Sequence, residues 1–251
     1  MNDLVTVTDE GPIRTVRMNR PEKKNALTFD MYAAMATAIS SAQTSAALRC
    51  LLLAGSPSDF CAGNDIGNFV QTANDDGALR KPVIDFLHAL ALSELPLVAA
   101  VQGNAVGIGT TMLLHCDHVV ASREARFATP FVGLGILPEA GSTLIGPRLM
   151  GQSHAFSLLV MGRPMNAEDA KAAGIVSAVV TPADVEAEAM KAAREIAALP
   201  PQGLLAARRL MRGTREEIVA RIDQESTMIR ERLRSPEARA AFEAFLTRKK
   251  G

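Results

Sequence analysis

Several residue types that often mark a specialised protein are absent or rare in this chain. It contains no tryptophan and a single tyrosine, so its interior has to be built mainly from alanine, leucine, valine, isoleucine and methionine. The 27 lysines and arginines balance 27 acidic residues, and no basic block is present. Because a nucleic-acid backbone requires concentrated positive charge, nucleic acid is not an expected partner.

Signals for export, membrane insertion and disulfide bonding are also missing. A secretory signal has a basic segment followed by an apolar run. The first residues, Met1 to Leu4, do not form this pattern. No stretch approaches the roughly 18 uncharged apolar residues that span a bilayer. The three cysteines, Cys50, Cys61 and Cys116, are odd in number and form no CxxC pair, which favours reduced thiols. We therefore predict a cytoplasmic protein with no membrane association.

Short apolar or alternating runs that are separated by helical patterns predict an α/β fold. The predicted strands are Leu4–Thr8, Ile13–Met18, Cys50–Ala54, Leu97–Gln102, His118–Ala121 and Ile175–Val180. Thr28 is placed to cap a helix, and the last third of the chain is helical throughout. Because Leu199-Pro200-Pro201 interrupts the pattern, we assign residues 1–198 to a core and residues 199–251 to a C-terminal helical region.

Two glycine-bearing segments follow predicted strands, Phe60–Asp65 and Gly103–Gly109. Glycines let backbone N–H groups converge on an oxygen that gains negative charge, so the two turns are candidates for an oxyanion hole. Glycines also simply permit tight turns, and their spacing alone does not separate the two interpretations. The dinucleotide fingerprint GxGxxG and the phosphate-binding loop GxxxxGKS or GxxxxGKT are both absent, which argues against a nucleotide cofactor.

Glu139 is the single acid in the apolar segment Phe127–Ser142. It is either a carboxylate at the start of a helix or a general base in an apolar cleft. The first alternative predicts a lowered pKa and the second a raised one. The run His115-Cys116-Asp117-His118 contains metal-binding residue types, but a helix that gives way to a strand directs its side chains apart, so we predict no metal site.

The order of these segments resembles the crotonase superfamily of enoyl-CoA hydratases and isomerases. The matching motifs are Asn19–Leu27, Phe60–Asp65, Pro96–Gly109, Cys116-Asp117, Ala125–Phe127 and Met161–Val176. Several motifs in one order are more specific than any one of them, and the resemblance covers roughly residues 4 to 200. It implies a spiral of ββα units with a helical C-terminal region, assembled as a homotrimer or a dimer of trimers.

The resemblance also implies which residues act on the substrate, an acyl-CoA. The two amides that hold the thioester oxygen fall on Asn64 and Ile108. Further substrate contacts fall on Lys24, Ala26, Ala62, Asp65, Ile66, Gly107, Thr111, Phe131 and Leu134. Thr111 and Phe131 stand where the hydratases of the superfamily carry two glutamates, so an enzyme that adds water would lack its acid and base.

The same departures resemble the peroxisomal-type isomerases that convert 3-enoyl-CoA to 2-enoyl-CoA, in which the glutamate of a Pro-Glu pair is the base. That glutamate corresponds to Glu139. The resemblance thus implies an isomerase with one proton shuttle and no cofactor beyond the coenzyme A of the substrate. Two alternatives remain open, namely a hydratase-like enzyme for an unusual acyl-CoA and a catalytically silent module that binds acyl-CoA or another protein.

Overall fold

The computed structural model describes residues 4–55, 58–65, 67–68 and 79–248, except the side chains of 245–248. Two sheets organise the fold. The first contains, in spatial order, β1 (Val5–Glu10), β2 (Ile13–Met18), β3 (Cys50–Ala54), β4 (Leu97–Val101), β6 (His118–Ser122) and β9 (Ala178–Val180), and the second contains β5 (Asn104–Val106), β7 (Arg126–Ala128) and β8 (Met165–Asn166). After the antiparallel pair β1–β2, the strands of the first sheet pair in parallel. All six predicted strands are confirmed, although β9 is shorter than expected.

Helices cover the sheets and form the end of the chain. They are α1 (Phe29–Ala42), α2 (Lys81–Leu92), α3 (Ile108–Thr111), α4 (Ser142–Ala155), α5 (Ala167–Ala172), α6 (Val185–Ala197), α7 (Pro201–Arg212), α8 (Arg215–Leu233) and α9 (Pro236–Arg248). Thr28 accepts a hydrogen bond from the Met31 N–H at 3.3 Å, which confirms the predicted cap of α1. The predicted α/β class and helical C-terminal region are confirmed.

The central strands β3 and β4 of the first sheet are buried on both faces, which explains the continuous apolar sequence of β3. Leu51 and Leu53 point into a core that α1 and α2 cover. Cys50, Leu52 and Ala54 point into a second core that α6 covers. The sheet is therefore a rigid support, and the turns at its strand ends are held from both sides.

The helices after α6 return to the body of the protein. Arg208 on α7 pairs with Asp117 at 2.9 Å, and Asp117 also accepts the Leu97 N–H at 2.8 Å. The next two helices, α8 and α9, pack on the segment that contains Phe131 and Ile136. Within the described ranges, no helix is both long and apolar enough to cross a membrane.

Candidate active site

The two glycine turns that were predicted from the sequence lie side by side. Cys61 and Ala105 pair as in parallel strands, because the Val106 N–H donates to Cys61 O at 2.8 Å. Asn64 and Ile108 each lie three positions beyond this pair, at the ends of the two turns. The structure thus brings the two predicted oxyanion donors to neighbouring positions.

The glycines of these turns meet specific steric requirements. Gly63 has φ +95° and Gly107 has φ +57°, in the region that glycine occupies without penalty. A Cβ on Gly109 would lie 2.5 Å from Cys61 O, so only glycine lets the start of α3 approach the first turn. The glycines therefore make tight turns, and these turns also bring two backbone segments together.

The amides at the ends of the turns remain open. Within the described part of the chain, neither the Asn64 N–H nor the Ile108 N–H donates a hydrogen bond. Ile108 is the first residue of α3, and the first N–H groups of a helix have no partner within the helix. Two unpaired amides at neighbouring positions are the arrangement that stabilises an oxyanion.

Tyr32, the single tyrosine, lies directly behind the first turn. Its hydroxyl bonds to Asn64 Oδ1, and its ring meets Phe86 edge-on with centroids 5.4 Å apart. Burial, and then the nearby Glu139 and Cys61, raise the pKa of Tyr32 well above its ordinary value, so the phenol stays neutral. The sequence reasoning missed this residue, although a lone hydroxyl on the buried face of α1 was a usable signal.

Glu139 lies close to the first turn, since its charge acts on Cys61 within that turn and on Tyr32 behind it. The residue is 3% exposed, and its Oε1 is buried without a hydrogen-bond partner in the described residues. Burial, reinforced by the charge of Glu225, raises the pKa of Glu139 to about 8. The raised pKa matches a carboxyl in an apolar cleft and is opposite to the shift that a helix start would produce.

The turn that carries Glu139 has a left-handed backbone at two consecutive residues, Ala140 (φ +66°) and Gly141 (φ +67°). A side chain disfavours this conformation, so external contacts must hold Ala140 in it. His115 Nε2 lies 2.7 Å from Ala140 O, and the Glu225 carboxylate accepts the Gly141 N–H at 2.7 Å. Burial lowers the pKa of His115 to about 4, so the ring is neutral and Nε2–H is the donor.

Thr111 and Phe131, at the two hydratase positions, both adjoin Gly107. The Thr111 hydroxyl donates to Gly107 O at 3.3 Å, and a Cβ on Gly107 would lie 3.8 Å from the Phe131 ring. Both residues are buried. The structure therefore places them at the second glycine turn, where they contribute bulk and no carboxylate.

The predicted contacts before and within the first turn form one hydrogen-bonded unit. Lys24 O accepts the Ala62 N–H at 2.9 Å. Arg20, which the sequence reasoning missed, donates to Ala26 O at 3.0 Å and to the Asp65 carboxylate at 2.8 Å. Burial opposes ionisation of Asp65, but the Arg20 guanidinium together with the Asn68 and Gly67 N–H groups lowers the pKa of the carboxyl. Asp65 thus fixes the turn through Arg20.

The segment after Phe131 forms an apolar face that the C-terminal helices close. A Cβ on Gly135 would lie 2.7 Å from the Ala238 Cα, so this segment and α9 are in direct contact. We call this group the tail cluster; it consists of Leu79, Phe131, Leu134, Ile136, Leu137, Ile229, Leu233, Ala238 and Phe242. Ile66, the remaining predicted substrate contact, lies outside the described residues.

The ligand-type side chains at positions 115–118 serve other contacts. Asp117 pairs with Arg208 at 2.9 Å and with Arg212 at 3.2 Å. Among the described residues, no group of three or more histidine, cysteine or acidic residues is arranged to hold a metal. A cavity of about 610 Å³ beneath α7 is lined by Arg208 and His115. Neither Glu139 nor any described residue of the two glycine turns lines it, so this cavity is separate from them.

Known proteins resemble this chain over nearly its whole length. The sequence profile of the enoyl-CoA hydratase/isomerase family matches residues 8–251. Enoyl-CoA delta isomerase 2 of Rattus norvegicus is 35% identical over 98% of this chain and 64% of its own length, so the chain spans less than two thirds of that relative. The 1,2-epoxyphenylacetyl-CoA isomerase of Escherichia coli strain K12 is 32% identical over 99% of this chain and 97% of its own. The solved structure of Pseudomonas aeruginosa OdaA has a TM-score of 0.90 and 42% identity, covering 97% of this chain and 99% of that one.

Proposed function

Because the chain belongs to the enoyl-CoA hydratase/isomerase family, the crotonase superfamily, we propose that it moves the double bond of a 3-enoyl-CoA to the 2-trans position. One observation carries this proposal, the buried carboxyl of Glu139 with its unpartnered oxygen, whose charge acts on Cys61 in the first glycine turn. The two glycine turns end at the open amides of Asn64 and Ile108. Thr111 and Phe131 support it, because neither can act as the base that water addition requires.

The proposed reaction needs one carboxylate and two amides. The thioester oxygen accepts hydrogen bonds from the Asn64 and Ile108 N–H groups, and Glu139 removes a proton from C2. The electron pair spreads through a dienolate onto the oxygen, where each amide contributes ~3 kcal/mol of stabilisation. Glu139 then returns the proton to C4, which leaves the double bond between C2 and C3 and restores the carboxylate.

The surroundings of Glu139 suit both halves of this cycle. A carboxyl with a pKa of about 8 is a stronger base than an exposed glutamate and still gives up its proton near neutral pH. Burial raises the pKa of the Cys61 thiol to about 12, and the Tyr32 phenol is neutral as well, so neither competes as a base. The tail cluster keeps water away from the dienolate.

A second substrate is favoured by one comparison. One relative that matches over nearly its full length is named for 1,2-epoxyphenylacetyl-CoA, whereas the rat isomerase extends well beyond the match. We therefore include this epoxide as the second candidate. Hydration of a 2-enoyl-CoA and the absence of any turnover are the outcomes that correspond to the remaining alternatives.

A spectrophotometric assay with 3-hexenoyl-CoA tests the proposal. We expect Glu139→Gln to lower kcat by at least ~10² with little change in acyl-CoA binding, because a positioned base contributes on the order of 10² to 10⁴. Glu217→Gln, the same change at an exposed position on α8, is the control and should keep full activity. Near-normal turnover by Glu139→Gln, or hydration of crotonyl-CoA that rivals isomerisation, would refute the isomerase mechanism.

We also propose that the protein assembles as a homotrimer or a dimer of trimers, as the family resemblance implies. Two adjacent apolar side chains on α7, Leu210 and Met211, are 85% and 88% exposed in the single chain, which supports burial in an assembly. Sedimentation equilibrium is expected to give three or six times the chain mass of 26.7 kDa. A mass of one chain at micromolar concentration would contradict the proposal.

A further inference from the structure

We propose that Glu225, on α8 in the C-terminal region, is a positioning residue that holds the Glu139 turn and faces the base with a buried carboxylate. This inference rests on the proposed role of Glu139. It gives the C-terminal region a part in the reaction. Glu225 lies 84 positions beyond Gly141 in the chain, yet its carboxylate accepts the Gly141 N–H. Four observations support it.

The first observation is the hydrogen bonding of Glu225. Its Oε2 accepts the Gly141 N–H at 2.7 Å. Its Oε1 accepts both the Thr143 N–H at 3.0 Å and the Thr143 hydroxyl at 2.6 Å. Because both oxygens accept, the contacts match an ionised carboxylate that binds the open N–H groups at the start of α4.

The second observation is the backbone that these contacts restrain. Ala140, directly after Glu139, is fully buried and left-handed with φ +66°. The turn is held at one end by His115 and at the other by Glu225. Without the carboxylate, Gly141 and Thr143 would lose their acceptor, and the turn would relax toward the conformations that alanine prefers.

The third observation is that Glu225 is buried and that its oxygens bond to Gly141 and Thr143 rather than directly to a cation. The residue is 4% exposed, and no lysine or arginine within the described ranges forms a salt bridge with it. Arg221, one turn earlier on α8, donates instead to the Thr143 hydroxyl at 3.1 Å. Burying a carboxylate costs free energy, and the three donors of Gly141 and Thr143 offset that cost, so the side chain and the start of α4 stabilise each other.

The fourth observation is the charge around Glu139. Tyr32 and Cys61 are neutral because burial raises the pKa of each, and His115 is neutral because burial lowers its pKa to about 4. Burial is the main cause of the raised pKa of Glu139, and Glu225 is the charged group that adds to it.

Glu225 itself is subject to opposing influences. The pKa of its carboxyl is raised, because burial outweighs the Thr143 and Gly141 donors and the Arg221 guanidinium, which favour the ionised form. Arg221 is the cation of α8 whose charge acts on this carboxyl. Glu225 therefore acts on Glu139 in two ways, by fixing its turn and by disfavouring loss of its proton.

The variant Glu225→Gln separates these effects from mere folding. It keeps side-chain size but removes the charge and one acceptor. We expect the acid limb of the pH profile of kcat/KM to move to lower pH by roughly one pH unit, because a like charge has been removed. We expect kcat on the plateau to fall about tenfold or more through misplacement of the base, with KM little changed.

Two further variants and one control complete the test. Glu225→Asp keeps the charge with a shorter reach, so it should retain the wild-type pH midpoint but not the full kcat. Thr143→Val removes one donor to Glu225 and should lower kcat. It tests the same contact even if Glu225→Gln fails to fold. Glu217→Gln removes an exposed charge from the same helix and should leave the midpoint unchanged. In infrared difference spectra, the band of the Glu139 carboxyl is the one that Glu139→Gln abolishes. The titration midpoint of this band should move in Glu225→Gln as the pH profile does.

The outcomes distinguish this inference from the proposed function. If Glu139→Gln is inactive but Glu225→Gln keeps the wild-type midpoint and kcat, the role of Glu225 is wrong and the isomerase mechanism stands. If Glu139→Gln is active, the mechanism fails and the inference fails with it. If Glu225→Asp moves the midpoint as far as Glu225→Gln does, the charge of Glu225 is not what faces the base.

Discussion

The folded protein favours the protonated form of the Glu139 carboxyl. Its carboxyl is almost fully buried, and no donor among the described residues reaches Oε1. The ionised carboxylate therefore lacks both the water and the hydrogen bonds that would stabilise its charge. Repulsion from Glu225 disfavours the ionised form further. In the proposed mechanism, this property makes Glu139 a reactive base, because its charged form is poorly stabilised before substrate arrives.

This imbalance predicts how stability depends on pH. The pKa of Glu139 is about 8 in the folded protein against an ordinary value of 4.5, so its stabilising contribution is complete below pH 4.5 and is lost as pH rises through 8. A tenfold difference between the folded and unfolded acid dissociation constants corresponds to about 1.4 kcal/mol. We expect Glu139→Gln to be more stable than wild type by a margin that grows from pH 5 to pH 8, to several kcal/mol, and then stays constant.

Urea unfolding at pH 5, 7 and 9, at one protein concentration, measures this margin. Glu217→Gln is the matched control, because the Arg148 guanidinium lowers the pKa of that exposed carboxyl and its neutral form should not become more stabilising with rising pH. A margin for Glu139→Gln that stays constant across this range would show that the carboxyl is not buried as described.

At the residue scale, the sequence indicates the acid but not its supports. Glu139 stands out because it is surrounded by apolar residues in the chain itself. His115 and Glu225 reach its turn from 25 and 84 positions away from the residues they bond, and no local pattern encodes such contacts. Glu225 did leave one trace, since it is an acid on the buried face of α8 that otherwise holds Ile218, Ile222, Ile229 and Leu233.

At the scale of elements, the strands that are buried on both faces were the most predictable. Their continuous apolar runs extend over five residues, as in β3 and β4, and this length distinguishes them from turns. The strands β5, β7 and β8 contain two or three residues each, which is too short for any periodicity. They were therefore missed, although β5 forms part of the second glycine turn.

The glycine turns illustrate what spacing predicts and what it leaves open. A glycine after a strand indicates a turn, and both turns are present with left-handed glycines. That the turns would touch depends on the pairing of Cys61 with Ala105, which joins segments more than 40 positions apart. Only the three-dimensional pairing brings two separate turns together at one site.

At the scale of the whole molecule, the C-terminal helices complete the candidate site. The helix α8 supplies Glu225, and α8 and α9 together supply four side chains of the tail cluster, Ile229, Leu233, Ala238 and Phe242. The assignment of residues 199–251 to a separate helical region stays a prediction, as does the cytoplasmic location. In the folded chain these helices share a core with Phe131, so the region is energetically coupled to the proposed acyl site.

The coupling predicts the effect of truncating Leu233, which is 1% exposed within the tail cluster. We expect Leu233→Ala to lower the free energy of unfolding by about 2 to 5 kcal/mol, because it removes buried methyl groups and leaves a cavity. Since Phe131 and Ile136 lose a neighbour, KM should rise more for long acyl chains than for short ones.

Met228→Ala on the same helix is the control. Its side chain is 45% exposed, so the free energy of unfolding should change by no more than about 0.5 kcal/mol. Urea unfolding and an acyl-chain series measure both effects, and equal KM changes for short and long chains would show that α8 stabilises the fold without shaping the acyl site.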